Sequence, residues 1–413
     1  MKTGTQERMA GTVRALVRAA TRAIVQQPLL LGLVAAIGIA ACPVATAAPA
    51  AAQPGPKGAP ALAEERVLFA AEEMGWFNTR RSPPFLTVRI SPDGRRLLHS
   101  RPTAPLPEDN QRGGTSELWL REIGSGEDLR IPVPPYSRGL GSVHIGFNPF
   151  SPDGTKMALT AARDKGETEL VLFDIDKNIQ TPMGIKAAMA MALFDRTGKR
   201  LVAIAFGGQT TPRGIMTIEL PGFARKKLDL GSSPRAYPTS VCPTADVISC
   251  FGVRAPPAGQ RRGPQASVLC DMQNKENAVD LPTNAKNSQL DDMAPVWTSD
   301  GRYVCYYDQG TDPKLPKGTR IWDRIGKREM AFVPGTSPMG TGPEPSQIVL
   351  VSARTVDNRG ILLDVPSGKT WPLGDEKTRL LHAVKGKIAF LRFLAGGKTE
   401  LRVATIVFRA PPQ

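Results

Sequence analysis

The chain has 413 residues, with 53 Lys and Arg against 38 Asp and Glu, a formal charge of +15. Hydrophobic residues make up 41%, enough for a core, which excludes wholesale disorder. Gly (40) and Pro (38) exceed their ordinary joint share of roughly 12% but stay below the roughly 25–30% of low-complexity chains, so the chain is globular and rich in turns.

The N-terminus reads as an address. Residues 1–27 carry Lys2, Arg8, Arg14, Arg18 and Arg22 against one acid, Glu7. A 14-residue apolar run follows from Pro28 to Ala41, and Ala45-Thr46-Ala47 supplies an A-x-A site. This is the layout of a secretory signal, assigned to residues 1–47. The run falls short of the roughly 20 residues of a bilayer-spanning helix. Ile39-Ala40-Ala41-Cys42 also resembles a bacterial lipobox, which would lipidate Cys42. An uncleaved anchor is the remaining alternative. Each reading expects an exported body, periplasmic or extracellular, whose contact with a membrane runs only through this segment. Removing the segment takes away five basic residues and one acid and leaves +11.

Residues 48–61, rich in Ala, Pro and Gly, read as a linker. Across residues 62–75, Leu62, Val67, Leu68, Phe69 and Met74 recur among charged residues at a spacing that predicts a short amphipathic helix ending at Gly75, with a lead-in to residue 82.

Residues 83–411 form a repeat. Ser91-Pro92-Asp93-Gly94 and Ser151-Pro152-Asp153-Gly154 each precede a β-rich segment. Asp195-Arg196-Thr197-Gly198, Pro243-Thr244-Ala245-Asp246 and Ser299-Asp300-Gly301 fall at the equivalent places. In such turns Pro presets one φ and Gly supplies a positive φ, so each motif closes a hairpin. A second hairpin follows each first one, led by Glu117–Leu120, Glu169–Phe173, Gly214–Ile218, Ala266–Cys270 or Thr319–Trp322. Two weaker units, from Ile348 and from Lys387, complete the series. The mean step is about 49 residues, within the roughly 40–50 of a four-stranded propeller blade. The fold expected is all-β, a β-propeller of seven four-stranded blades preceded by a short helix. Six blades with a closing strand is the alternative.

The recurrent SPDG turn, followed by an apolar strand and a polar turn, resembles the WD40-like repeat of TolB-type propellers. It is similar as well to the N-terminal propeller of prolyl-oligopeptidase-family enzymes. In that family the resemblance implies a hydrolase domain after the propeller, carrying G-x-S-x-G. No such motif occurs here, and Gly335-Thr-Ser-Pro-Met-Gly340 has the wrong spacing for a nucleophile elbow.

Other candidate chemistry is thin. Three His and five Cys argue against a multi-ligand metal site, so neither metal nor cofactor is expected. His99, His144 and His382 read as packed or hydrogen-bonded strand residues. Asp174-x-Asp176-x-Asn178 starts like a calcium loop but has Ile179 and Ile185 where that loop needs Gly and Glu, so it reads as a turn. Trp119, Trp297 and Trp322 are expected to pack between blades. Cys242, Cys250, Cys270 and Cys305 could pair in three ways or remain thiols.

The connections between second and third strands are long, and together they carry twelve basic residues against seven acids. They are expected on one face, where Arg101, Arg112, Arg213, Arg254, Arg261, Arg262, Lys314 and Lys317 are the candidate ligand residues. Loops on a rigid scaffold commonly carry function, and a basic face steers anionic partners. The function expected is an exported, non-enzymatic propeller that binds a protein or an anionic envelope component. The alternatives are a propeller-fold hydrolase or lyase with a central-channel site, or the accessory propeller of a separately encoded peptidase. Nucleic acid is not expected as a partner, because basic residues nowhere interleave with aromatics and the chain carries an export signal.

Overall fold

A computed structural model describes residues 58–74, 88–103, 115–133, 136–137, 148–162, 168–187, 189–206, 214–229, 235–253, 265–282, 294–308, 316–352 and 360–409. Strand β1 (Ala59–Phe69) comes first. The first sheet is β2 (Val88–Ile90), β3 (Arg96–Pro102), β4 (Thr115–Glu122) and β5 (Asp128–Arg130), with β6 (Tyr136–Ser137) beside β4. The next is β7 (Lys156–Ala162), β8 (Thr168–Asp174) and β9 (Ile179–Ala187), to which Phe150 adds an isolated bridge. Three four-stranded sheets follow: β10 (Met189–Phe194) to β13 (Arg225–Lys227) through β11 (Arg200–Phe206) and β12 (Gly214–Glu219); β14 (Arg235–Val241), β15 (Val247–Val253), β16 (Gln265–Asp271) and β17 (Val279–Leu281); and β18 (Val296–Trp297), β19 (Tyr303–Asp308), β20 (Gly318–Asp323) and β21 (Arg328–Pro334). The last sheet takes β22 (Thr336–Thr341), β23 (Gln347–Ser352), β24 (Gly360–Asp364) and β25 (Lys369–Leu373), then β26 (Thr378–Val384), β27 (Lys387–Phe393) and β28 (Thr399–Arg409), with β1 at its edge.

Consecutive strands within each group pair antiparallel, as hairpins require; β1 joins β28, β6 joins β4, and β22 joins β26 in parallel. β7 adjoins β10, β10 adjoins β14, β14 adjoins β18, β18 adjoins β22 and β26 adjoins β2, and a shared apolar cluster joins the first two groups, so the groups form a ring around a common axis. Apolar clusters fill the gaps between groups: Leu98, Leu118 and Leu120 meet Phe150, Met157 and Phe173, for example, and Cys250 and Val268 meet Val202 and Ile204. The fold is all-β, a β-propeller.

Two expectations need correction. The segment read as a helix is strand β1, which pairs antiparallel with β28 from Ala59↔Arg409 to Phe69↔Leu401. Its ladder shifts register between Ala63 and Arg66 and between Val67 and Phe69, and Glu64 sits at φ 54°. These bulges break the apolar alternation of a strand and leave a spacing that mimics a helix. The unpaired edge of β28 decides the outcome, because a free row of N–H and C=O groups captures a strand more strongly than propensity favours a helix. The linker assigned to 48–61 therefore ends before Ala59. The second correction is the count: the seven units expected form six hydrogen-bonded sheets, because the last two share one eight-stranded sheet through the single parallel pair Gly340↔Ala383. A Cβ on Gly340 would lie 1.8 Å from the Ala383 carbonyl oxygen, so only glycine permits this join.

Candidate functional site

The repeated turns share one architecture. Ser91 Oγ donates to Asp93 at 2.5 Å and accepts the Arg96 N–H at 2.9 Å. Ser151 makes the same pair of bonds, to Asp153 and from Lys156, and Thr298 does so with Asp300 and Tyr303. Gly94, Gly154 and Gly301 close these turns at φ 73°, 74° and 66°. Asp195 replaces the hydroxyl in the third turn, and its carboxylate accepts the Arg200 N–H.

These turns are tied to one another around the ring. Lys387 Nζ donates to the Gly94 carbonyl at 3.2 Å, and Arg96 donates to the Gly154 carbonyl at 3.1 Å and to Asp176 at 2.7 Å. Gly198 packs on Pro152. Arg196 holds Asp246 at 2.9 Å, Thr244 Oγ1 donates to the Asp300 carbonyl at 3.0 Å, and the Asp300 N–H donates to the Pro345 carbonyl at 3.2 Å. The Lys385 N–H reaches Thr341 Oγ1 at 2.7 Å. The calcium-like carboxylates are consumed here as well: Asp174 accepts the Lys177 N–H within its own turn and Asp176 pairs with Arg96.

Each second strand runs away from its turn and each third strand returns, so the chain crosses between them at the opposite end of the sheet. Of the eight candidate residues at those crossings, Arg101 and Lys317 lie within the described residues; Arg112, Arg213, Arg254, Arg261, Arg262 and Lys314 lie outside them. The two do not share a sheet: Arg101 is on β3 and Lys317 precedes β20. Lys317 is half-buried, and its carbonyl accepts the Gly335 N–H at 2.7 Å. Nearby, the fully buried Asp308 carboxylate takes Arg320 at 2.6 Å.

Arg101 is committed to a cluster at the seam where the last sheet meets the first. Its guanidinium donates to Asp128 at 2.5 Å and lies 4.5 Å over the Trp119 ring. Arg121 holds the same carboxylate at 2.9 Å and stacks 3.7 Å from the Phe69 centroid. Phe69, at the end of β1, meets His99 edge-on with centroids 4.8 Å apart, and Arg121 also donates to the Leu68 carbonyl. His99 is completely buried, and neither ring nitrogen has a partner within hydrogen-bonding distance; Nε2 lies 3.8 Å from Asp128. Burial lowers the His99 pKa to about 4, with Asp128 opposing and Arg101 and Arg121 reinforcing the shift. Burial pulls Asp128 upward, but the nearby His99 ring and its bonds with Arg121 and Arg101 hold it well below the usual carboxylate range. On the inner strands of the same seam, His382 Nδ1 accepts the Ile90 N–H at 3.1 Å. Burial, helped by Arg89, lowers its pKa to about 3.

At neutral pH both imidazoles are uncharged and are weak bases, far from the pKa near operating pH that favours proton transfer. The expectation that they pack in strands describes both; His144 lies outside the described residues. Sequence reasoning missed Phe69, Arg121 and Asp128, because only the register β4–β5 sets Arg121 opposite Asp128 and only the β1 ladder brings Phe69 across. Cys242, Cys250, Cys270 and Cys305 are buried free thiols. Among the described residues no group of His, Cys, Asp and Glu could hold a metal ion, and no helix is long and apolar enough to cross a membrane.

No family model matches the sequence, and no curated protein matches it either. Solved structures do. The β-propeller domain of the trilobed protease from Pyrococcus furiosus, described as having an open velcro topology, is similar at TM-score 0.51 and 13% identity, over 78% of this chain and 94% of that one. TolB from Acinetobacter baumannii is similar at TM-score 0.41 and 16% identity, over 59% of this chain and 53% of TolB. The acylaminoacyl peptidase of Pyrococcus horikoshii is similar at TM-score 0.47 and 12% identity, over 74% of this chain and 48% of the peptidase. This chain thus spans about half the length of TolB and of that peptidase. The likeness is one of fold.

Proposed function

We propose that the protein is an exported β-propeller that binds a protein or anionic envelope component through the face opposite its repeated turns. The observation that carries this reading is the difference between the two ends of the ring. Turn side chains and backbone groups are spent on one another and on neighbouring turns, whereas the other end receives the long, net-basic crossings. A rigid scaffold with one end tied off leaves the other end for recognition. The signal-like N-terminus supports export.

The test is capture from an envelope fraction with the wild type and with the Arg254→Glu/Arg261→Glu/Arg262→Glu variant. The wild type is expected to retain a defined component in low salt and release it as salt rises, and the variant is expected to lose it. Equal capture by both proteins, insensitive to salt, would overturn the reading.

A further inference from the structure

We propose that the seam between the last and first sheets is an acid latch: protonation of His382 at its inner edge and of His99 at its outer edge parts the two sheets there, while the other interfaces of the ring stay closed.

The placement of the two imidazoles motivates this. They are the histidines within the described residues, and both sit at the one junction where the end of the chain meets its beginning. His382 belongs to β26 of the last sheet and bonds to β2 of the first. His99 belongs to β3 of the first sheet and is capped by Phe69 of β1, which pairs with the last. The His382 contact requires a neutral ring. His382 accepts the Ile90 N–H through Nδ1, so that atom carries no proton; an imidazolium places a hydrogen there and turns the bond into two donors facing each other. Ile90 is on an innermost strand and uses this bond for its backbone N–H, which would otherwise be unpaired.

At His99 the charged groups are Asp128 from β5, Arg121 from β4 and Arg101 from β3, with Phe69 from β1 closing the site. The single carboxylate is already shared by two guanidiniums. A proton on His99 therefore adds a third cation to a buried site holding one anion, beneath an aromatic cap. Arg89 on β2 is the cation that bears on His382. The relief available is separation of the sheets, which admits water to both rings.

The sign follows from linkage. Both pKa values are depressed from 6.5 in the closed ring, to about 4 and about 3, so the open form binds more protons in between. Closure is intact above about pH 6.5, and each histidine shifts the opening equilibrium about tenfold per pH unit below it.

Hydrogen exchange of the full chain, from neutral pH to about pH 4.5 and corrected for the intrinsic rate, tests this. Peptides covering 66–74 and 88–98 are expected to lose protection steeply, while those covering β10–β12 keep theirs. In the His99→Leu/His382→Asn variant the seam should lose this pH dependence, since His382→Asn keeps an oxygen acceptor for the Ile90 N–H but no proton to gain. The wild-type profile decides the matter even where the variant does not fold. Seam protection that holds to about pH 4.5, or loss shared equally by all sheets, overturns the proposal.

Discussion

The hydroxyl at the head of each turn does more than close a hairpin. Ser151 is buried, and its Oγ both caps Asp153 and receives the Lys156 N–H. Ser151→Ala leaves that N–H without its partner and is expected to cost about 1–3 kcal/mol in urea unfolding. Gly154 is constrained twice, by φ 74° and by the Asp93 carboxyl 2.9 Å from where a Cβ would stand. Gly154→Ala should cost more than about 1 kcal/mol, through strain and through disturbance of the neighbouring turn. The Asp308–Arg320 pair shows the same economy at the other end of a sheet. Removing the guanidinium takes its positive partner from a carboxylate with no exposure, so Arg320→Ala is expected to destabilise by about 3 kcal/mol. The turn residues were legible in the sequence because Pro, Asp and Gly recur in phase. The partners of Arg96 and Arg101 were not, since each is fixed by inter-strand or inter-sheet register rather than by local spacing.

Among the elements, β1 illustrates where sequence reading ends. Its residues satisfy a helical spacing, and the feature that makes them a strand lies at the far end of the chain: Arg402 of β28 pairs with Glu65 across 337 positions. No local window contains that edge. Phe69 fastens the end of β1 to the first sheet, packed with Leu68, Val88, Leu97 and Leu401. Phe69→Ala is expected to cost about 3–5 kcal/mol by opening a cavity. It also removes the cap over His99, so the His99 pKa should rise from about 4 toward 6.5, followed by the imidazole proton resonances in an NMR titration. A pKa that stays near 4 after the cap is gone would mean that Phe69 contributes nothing to the burial of the ring. The same register logic explains the shared eight-stranded sheet, whose join rests on Gly340, a residue with no motif around it.

For the molecule as a whole, the sequence signal was strongest for architecture, because seven turns at a regular step leave few alternatives to a ring of sheets. It was weakest for the binding face. Arg101, chosen as a ligand residue for its position in a crossing, is spent on Asp128, Trp119 and Phe69. Charge alone does not distinguish a guanidinium that waits for a partner from one that holds a seam together. The formal +15 is therefore a measure of steering more than of a site, and the recognition proposed here rests on the asymmetry of the ring. The most direct measurement is hydrogen exchange of the full chain with and without the envelope component it is proposed to capture. Protection should be gained in peptides covering 254–264 and 309–317, with none in the turn peptides covering 91–96, 151–156 and 195–200. Protection confined to the turn peptides, with the crossings unchanged, would contradict the assignment of the binding face.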